Sequence, residues 1–252
     1  MISIDPTAIV DNLVTEERHF FHKGSSMRRI GDTYYYVFAD MERGKPTALG
    51  YATGSSPLGP FAYRGIIIDN DGCDPESWNN HGSIECVNGQ WYVFYHRSSR
   101  NTKYHRRLCV EKIQILEDGS MPEVKMTSQG VDEPFAPGET IYGYQACGLT
   151  GHCFIGPNPV CEESLQVIHD QDSATFRYVR SQMPFTGLSV QAEGSGTIYI
   201  LTNEREAGSI VIRNGKQETP DQGCIQASAG EYELRLRFEN PEHLMIRTLV
   251  LR

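Results

Sequence analysis

The sequence predicts an all-β protein of two parts, a partial β-propeller of about two blades followed by an antiparallel β-sandwich. Three observations lead to this fold class. One strand–turn–strand passage occurs twice, no segment has a convincing helical period, and short alternating strands separated by turn residues fill the second half. The predicted domains are residues 1–130 for the partial propeller and residues 138–252 for the sandwich.

The repeated passage organises the first part. Residues 23–38 align without gaps onto residues 80–95, an offset of 57 positions. Each copy contains a short strand, a turn at Gly31-Asp32 or at Asn88-Gly89, and then a strand rich in aromatic and β-branched residues. Repeats of this length built from strands are typical of propeller blades, and two blades do not close a ring. The sequence therefore predicts part of a larger architecture.

Further strands are predicted in the first part at residues 47–53, 61–68 and 107–115. The segments 55–60 and 117–120 are predicted turns, because proline and glycine interrupt a strand ladder.

Residues 129–140, rich in glycine, proline and acidic residues, are predicted to form a linker. Strands follow it at short intervals, which favours an antiparallel sandwich of ordinary domain size. The predicted strands are 164–169, 175–180, 188–192, 197–201, 209–213, 232–238 and 244–251.

Composition and net charge limit the kinds of molecule that the protein is expected to bind. A net charge of −9 disfavours nucleic acid and anionic membranes, which select basic surfaces. The sequence has no apolar run long enough for a membrane span and no basic-then-apolar start, so a cytoplasmic location is expected. The seven irregularly spaced cysteines favour reduced thiols over disulfides. A zinc site at Cys147, His152 and Cys153 is disfavoured, because no CxxC pair is present.

Several motifs of the first part carry a resemblance to a known family. They include Phe20-Phe-His-Lys-Gly-Ser-Ser-Met-Arg28, Leu49-Gly-Tyr-Ala-Thr53, Trp78-Asn-Asn-His-Gly-Ser-Ile84 and Trp91-Tyr-Val-Phe-Tyr-His-Arg97. Together they resemble glycoside hydrolase family 43 over about residues 15–130. The second part more weakly resembles a family 6 carbohydrate-binding module.

The resemblance implies a five-bladed propeller that releases arabinose or xylose units from plant polysaccharides. A pentose-containing oligo- or polysaccharide is then the implied ligand. A second chain or second copy that completes the propeller is a further implied partner.

The resemblance also implies an inverting mechanism with three carboxylates, two aspartates and one glutamate. The aspartates are expected upstream of Met1, and the glutamate position is occupied by Lys23. An ammonium with an ordinary pKa of about 10.4 is a poor proton donor, and it places a cation beside an oxocarbenium-like transition state. We therefore expect Lys23 to be non-functional as an acid and the chain to have weak or no activity alone.

Two alternatives for the missing acid stay open. His22 is adjacent, but neighbours on a strand point to opposite faces, so its use requires a bulge. Glu16 and Glu17 require a slip in register, and both also fit a solvated turn.

Four other positions are candidate site residues by resemblance. His81 is implied as a ligand of a calcium ion on the propeller axis, or it donates a hydrogen bond at the start of the blade. Arg28, Trp78 and Arg97 are candidate substrate-binding residues. Their alternatives are a bridge between blades for Arg28, a core aromatic for Trp78 and a surface ion pair for Arg97.

Two classes of function remain. The first is a glycosidase of which this chain is one part, and the second is a non-catalytic carbohydrate-binding or structural remnant. Both tryptophans precede the sandwich, so sugar binding there would depend on tyrosines such as Tyr178, Tyr199 and Tyr232, each of which also suits a core position.

Overall fold

A computed structural model describes residues 14–45, 48–73, 80–159, 162–167, 169–213 and 221–252. Across these residues the chain is strand-rich, with only a four-residue α-helix α1 (Glu16–His19) and a 3₁₀ turn (Gly143–Gln145) as helical elements. The predicted all-β class is confirmed. No helix in the described ranges has the length and apolar character needed to cross a membrane.

The chain forms two compact units. The first comprises residues 1–71, 78–98 and 106–126, and the second comprises residues 72–77, 99–105 and 127–252. The second unit thus takes in two short segments that precede residue 130. The domain limits 1–130 and 138–252 stay a prediction.

Two antiparallel sheets form the partial propeller. The first has the order β1-β2-β3-β4, with β8 added parallel to β4, and the second has the order β5-β6-β7. The strands are β1 (Phe21–Ile30), β2 (Thr33–Asp40), β3 (Ala48–Gly54), β4 (Ala62–Asp69), β5 (Gly82–Val87), β6 (Gln90–Ser99), β7 (Thr102–Ile113) and β8 (Val124–Lys125).

The predicted repeat becomes two equivalent hairpins, β1–β2 and β5–β6. Ile30 pairs with Thr33 across the first turn, and Val87 pairs with Gln90 across the second. Both turns contain the positive φ angles that close two-residue hairpins, including 58° at Gly31. The two turns predicted from sequence are therefore confirmed.

In the part of the chain that the structure describes, the sandwich contains nine strands. They are β9 (Thr140–Tyr142), β10 (Gly148–Thr150), β11 (Phe154–Pro157), β12 (Glu163–Gln166), β13 (Ser173–Ser181), β14 (Phe185–Thr202), β15 (Arg205–Ile212), β16 (Asp221–Ala227) and β17 (Gly230–Leu251). The long strands β14 and β17 pair along most of their length, and their buried aliphatic and aromatic side chains form much of one core.

Strands β14 and β17 each span two segments that the sequence predicts as separate strands. The register shifts of the pair fall around Gly194 and Gly196, where β14 bulges instead of turning. A methyl group at Gly194 would overlap the carbonyl oxygens of Glu242 and His243 on β17. Gly194 therefore allows β14 and β17 to approach each other closely. The prediction of a turn between residues 192 and 197 was wrong, because β14 continues through them.

The predicted linker packs on the second unit. Phe135 forms a parallel bridge with Val179 and rests against the sandwich core. The amide of Gly138 donates to the carbonyl of Leu251 at 2.8 Å. Residues 129–140 are thus irregular, as their composition indicates, but they are part of the sandwich and not a free connection.

A buried carboxyl group closes strand β2. Asp40 is 1% exposed, and its Oδ1 atom accepts a hydrogen bond from the Glu42 amide at 2.7 Å. A side chain at Gly50 would overlap this carboxyl group. Burial, partly opposed by the hydrogen bonds from Glu42 and Tyr63, raises the pKa of Asp40 to about 6. Asp40 therefore caps the end of the strand in an environment that favours its neutral form.

Asp40→Asn tests this environment. Because the folded-state pKa is raised, the contribution of Asp40 to stability is complete below pH 3.8 and is lost as the pH rises through about 6. The variant keeps the Oδ1 acceptor and stays neutral, so we expect it to be more stable than the unmodified chain at pH 8, by up to about 3 kcal/mol, and equally stable near pH 4. Denaturant unfolding followed by tryptophan fluorescence measures this, since both tryptophans precede residue 127.

The comparison is made at each pH against the unmodified chain. This cancels the opposite contribution of His96, whose pKa is lowered to about 4 and whose stabilising effect is lost as the pH falls. Asp32→Asn makes the same change at the exposed turn after β1 and is the control for the substitution itself. A stability difference that is the same at pH 4 and pH 8 would contradict the raised pKa.

Candidate functional site

The start of β1 places Lys23 between two bulges. Phe21 pairs with Asp40, Lys23 with Ala39 and Ser26 with Val37, so β1 has one extra residue on each side of Lys23. Gly24, in the second bulge, adopts a φ of 63° that favours glycine. Bulges redirect side chains and are frequent beside functional sites. The bulge that a role for His22 requires is therefore present.

His22 is nevertheless a weak replacement for a general acid. Its pKa is lowered by burial and by the positive charge of Lys23, with a smaller opposing effect of Glu16. Its Nδ1 atom is buried and makes no hydrogen bond with the described residues. Lowering the pKa leaves the imidazole mostly neutral near pH 7, so little of it carries the proton that a leaving group needs. Glu16 lies with Glu17 on helix α1, before the strand begins.

His81, just before β5, and His96, near the end of β6, lie close to Lys23 and Gly24. The His81 ring occupies the space that a side chain at position 24 would fill, and its centroid is 5.5 Å from that of His96 in an edge-to-face contact. Burial, and then the charges of Arg106, His81 and Lys23, lower the pKa of His96 to about 4. The described side chains that act on His96 are thus cationic or potentially cationic.

The calcium role of His81 stays a prediction. Its described neighbours include the Gly24 backbone and the imidazole of His96, whereas calcium prefers oxygen ligands. In the described ranges no three His, Cys, Asp or Glu side chains are grouped to hold a metal.

Arg28 connects the two blades. Its Nε atom donates to the Ile84 carbonyl at 3.3 Å, and its Nη2 atom lies 2.6 Å from Glu85 Oε2. Ser26 Oγ donates to the Gly82 carbonyl at 3.1 Å on the same strand. These contacts fit the bridging alternative, and a substrate-binding role for Arg28 stays a prediction.

The remaining candidates differ in what the structure describes. Arg97, on β6 next to His96, is only 5% exposed, so its guanidinium does not lie on the surface. Its role in substrate binding stays a prediction. Trp78 lies outside the described residues.

Two of the three tyrosines named for the sandwich, Tyr199 and Tyr232, make side-chain contacts within it. Tyr232 packs against Phe185 and the core, and Tyr199 donates to Glu239 at 3.0 Å beneath the guanidinium of Arg237. The backbone amide of Tyr178 donates to the Gln129 side chain at 2.7 Å, and the residue is partly buried.

A different aromatic pair is exposed on the sandwich. Tyr142 and Tyr144 stack with ring centroids 5.3 Å apart and planes inclined by 14°, and Tyr142 is 45% exposed. The sequence analysis missed this pair, although its spacing around the Gly143 turn is visible in the chain. A flat, partly exposed ring held by a second ring is a suitable surface for the apolar face of a sugar.

Comparisons with known proteins agree with this geometry. Residues 3–121 match the model of Glycosyl hydrolases family 43. A xylosidase/arabinosidase from Thermoclostridium stercorarium is 43% identical over 146 residues, which cover 53% of this chain and 30% of that protein. The chain spans about a third of the length of the curated relatives it matches.

Solved structures extend the likeness to both units. A family 43 arabinoxylan arabinofuranohydrolase from Bacillus subtilis, in complex with cellotetraose, superposes with a TM-score of 0.50 at 19% identity, over 92% of this chain and 54% of that one. A β-1,3-glucan-binding family 6 module from Bacillus halodurans has a TM-score of 0.42 at 19% identity, over 48% of this chain and 99% of the module. Residues 3–121 are therefore similar to glycoside hydrolase family 43, and over most of its length the chain shares its fold with the Bacillus subtilis structure.

Proposed function

We propose that this chain is part of a pentose-releasing family 43 glycosidase whose general-acid position is disabled. The 252 residues alone would then hydrolyse arabinosyl or xylosyl linkages weakly or not at all. The observation that carries the proposal is Lys23, held between two bulges at the start of β1 where the family resemblance places a glutamate.

The chemistry of inversion supports this proposal. Inverting hydrolysis needs a carboxylic acid at the leaving oxygen and a carboxylate base about 6.5–9.5 Å away. An ammonium at position 23 releases its proton poorly near pH 7. The neighbouring cations, whose effect is visible in the lowered pKa of His96, also disfavour the positive charge that develops on the sugar ring.

The proposed ligand is a pentose-containing oligo- or polysaccharide. The relatives named xylosidase/arabinosidase support that choice. The proposed partner is a second chain or second copy that completes the propeller. Strand β7 supports this partner, because it lies at the edge of a three-stranded sheet and exposes 74% of Leu108.

Hydrolysis of nitrophenyl arabinofuranoside and nitrophenyl xyloside tests the proposal. We expect the unmodified chain to release no more nitrophenol than Lys23→Gln, which removes the charge without supplying an acid. Lys23→Glu restores the carboxylic acid and should be the only variant with measurable turnover if the rest of the site is assembled. If none of the three proteins releases nitrophenol, the result fits a chain that needs a partner to supply the catalytic base.

Turnover by the unmodified chain that persists in Lys23→Gln would contradict the proposal. Such turnover would mean that another group donates the proton. Circular dichroism and thermal unfolding show whether each variant is folded, so that a loss of activity caused by misfolding is recognised.

A second candidate function is carbohydrate binding by the sandwich without catalysis. The stacked pair Tyr142 and Tyr144 favours it, because the exposed ring of Tyr142 is supported from below and loses little conformational entropy when a sugar stacks on it. This function does not depend on Lys23.

Affinity electrophoresis in xylan and arabinan gels tests the second candidate. We expect Tyr142→Ala to lose most retention and Tyr142→Phe to keep it, because stacking depends on the ring and not on the hydroxyl. Tyr104→Ala is the matched control, since Tyr104 is 83% exposed on β7 and lacks a stacked partner ring in the described residues. Equal retention of Tyr142→Ala and the unmodified chain would exclude this role of Tyr142.

A further inference from the structure

Two exposed histidines lie together in the second unit. His152 is in the turn before β11, and His169 is in the segment between β12 and β13. Their imidazole rings are 4.3 Å apart between centroids, with planes inclined by 48°. Neither residue contributes to the glycosidase or tyrosine sites described above.

One buried carboxylate fixes the backbone of both histidines. Asp172 is 3% exposed, and its Oδ1 atom accepts from the His152 amide at 3.1 Å. Its Oδ2 atom accepts from the His169 amide at 3.1 Å. A side chain at Gly151 would overlap the same carboxylate, so the turn before His152 fits closely around it. The two loops are therefore held in register by a single group, and the pair of rings is preorganised.

We propose that His152 and His169 form a binding site for a first-row transition-metal ion such as Ni²⁺. With metal–nitrogen bonds of about 2.0–2.1 Å, two imidazoles bound to one ion at a right angle have ring centres roughly 4.5 Å apart. The observed 4.3 Å is close to this separation. Imidazole nitrogen suits nickel, copper and zinc, whereas calcium and magnesium prefer oxygen.

The neighbouring thiol is not one of the ligands. Cys153 is fully buried within the sandwich core, whereas both imidazoles are exposed. In the described part of the chain no third His, Cys, Asp or Glu completes a metal group here. Water fills the other positions, so the ion is exchangeable and does not hold the fold together, in contrast to a closed structural zinc site.

Isothermal titration of the full, untagged chain with Ni²⁺ tests the site. We expect His152→Asn and His169→Asn each to weaken binding at least tenfold, because each removes one of two ligands. His243→Asn is the matched control, since His243 is an exposed histidine of the same unit and its φ of 49° is one that asparagine tolerates. We expect its affinity for Ni²⁺ to equal that of the unmodified chain.

Paramagnetic broadening by Ni²⁺ in amide spectra of the unmodified chain gives a readout that needs no variant. Signals from residues 151–153 and 169–172 should broaden first. The proposal would be overturned if both single variants bound Ni²⁺ as tightly as the unmodified chain, or if His243→Asn lost as much affinity as they do. It would also be overturned if the first signals to broaden came only from residues outside 151–153 and 169–172.

Discussion

The contact between strands β1 and β5 is the constraint on which the candidate site around Lys23 depends. The repeat aligns Gly24 with His81, and the structure places these equivalent positions against each other. The small residue of one copy makes room for the large residue of the other. Ser26 and Arg28 then donate side-chain hydrogen bonds to backbone carbonyls of β5. An ordinary hydrogen bond adds about 1 kcal/mol, whereas the half-exposed pair Arg28–Glu85 adds between about 0 and 1 kcal/mol.

This arrangement also sets the electrostatics around Lys23. The two bulges of β1 fix where the chain turns toward the second blade, and the adjacent blade brings His81 and His96 to the same place. Burial is the main cause of the lowered pKa of His96, the charge of Arg106 adds to it, and the ammonium of Lys23 makes only a small further contribution in the same direction.

Local signals in the sequence were sufficient for the features that depend on local chemistry. The turns at Gly31 and at Asn88-Gly89, the paired hairpins and the all-β class follow from turn residues and alternation. Features that depend on distant partners were not predictable. The glycines of β14 resemble a turn until β17 is seen to pass beside them, and Asp40 looks like an ordinary strand end until its burial is known.

The same distinction applies to the candidate sites. Lys23 and His81 were identified by motif, yet the bulges that decide where Lys23 points come from pairing with β2. The pair of His152 and His169 has a separation of 17 positions in the chain, and no spacing rule connects them. Their proximity comes from Asp172, which follows His169 closely and reaches across to the His152 turn.

The fold and the lost chemistry are separable for a physical reason. The pairing of β1 with β2 and the contacts of Ser26 and Arg28 use backbone atoms and neighbouring side chains, and none of them uses the side chain of residue 23. A lysine at that position is therefore compatible with the contact between the blades. Sugar binding on the sandwich would require fewer specific groups than hydrolysis, because stacking needs an exposed ring and no proton transfer. If the proposed function holds, a lysine at position 23 removes the acid without disturbing the pairing of β1 with β2 or the contacts of Ser26 and Arg28 with β5.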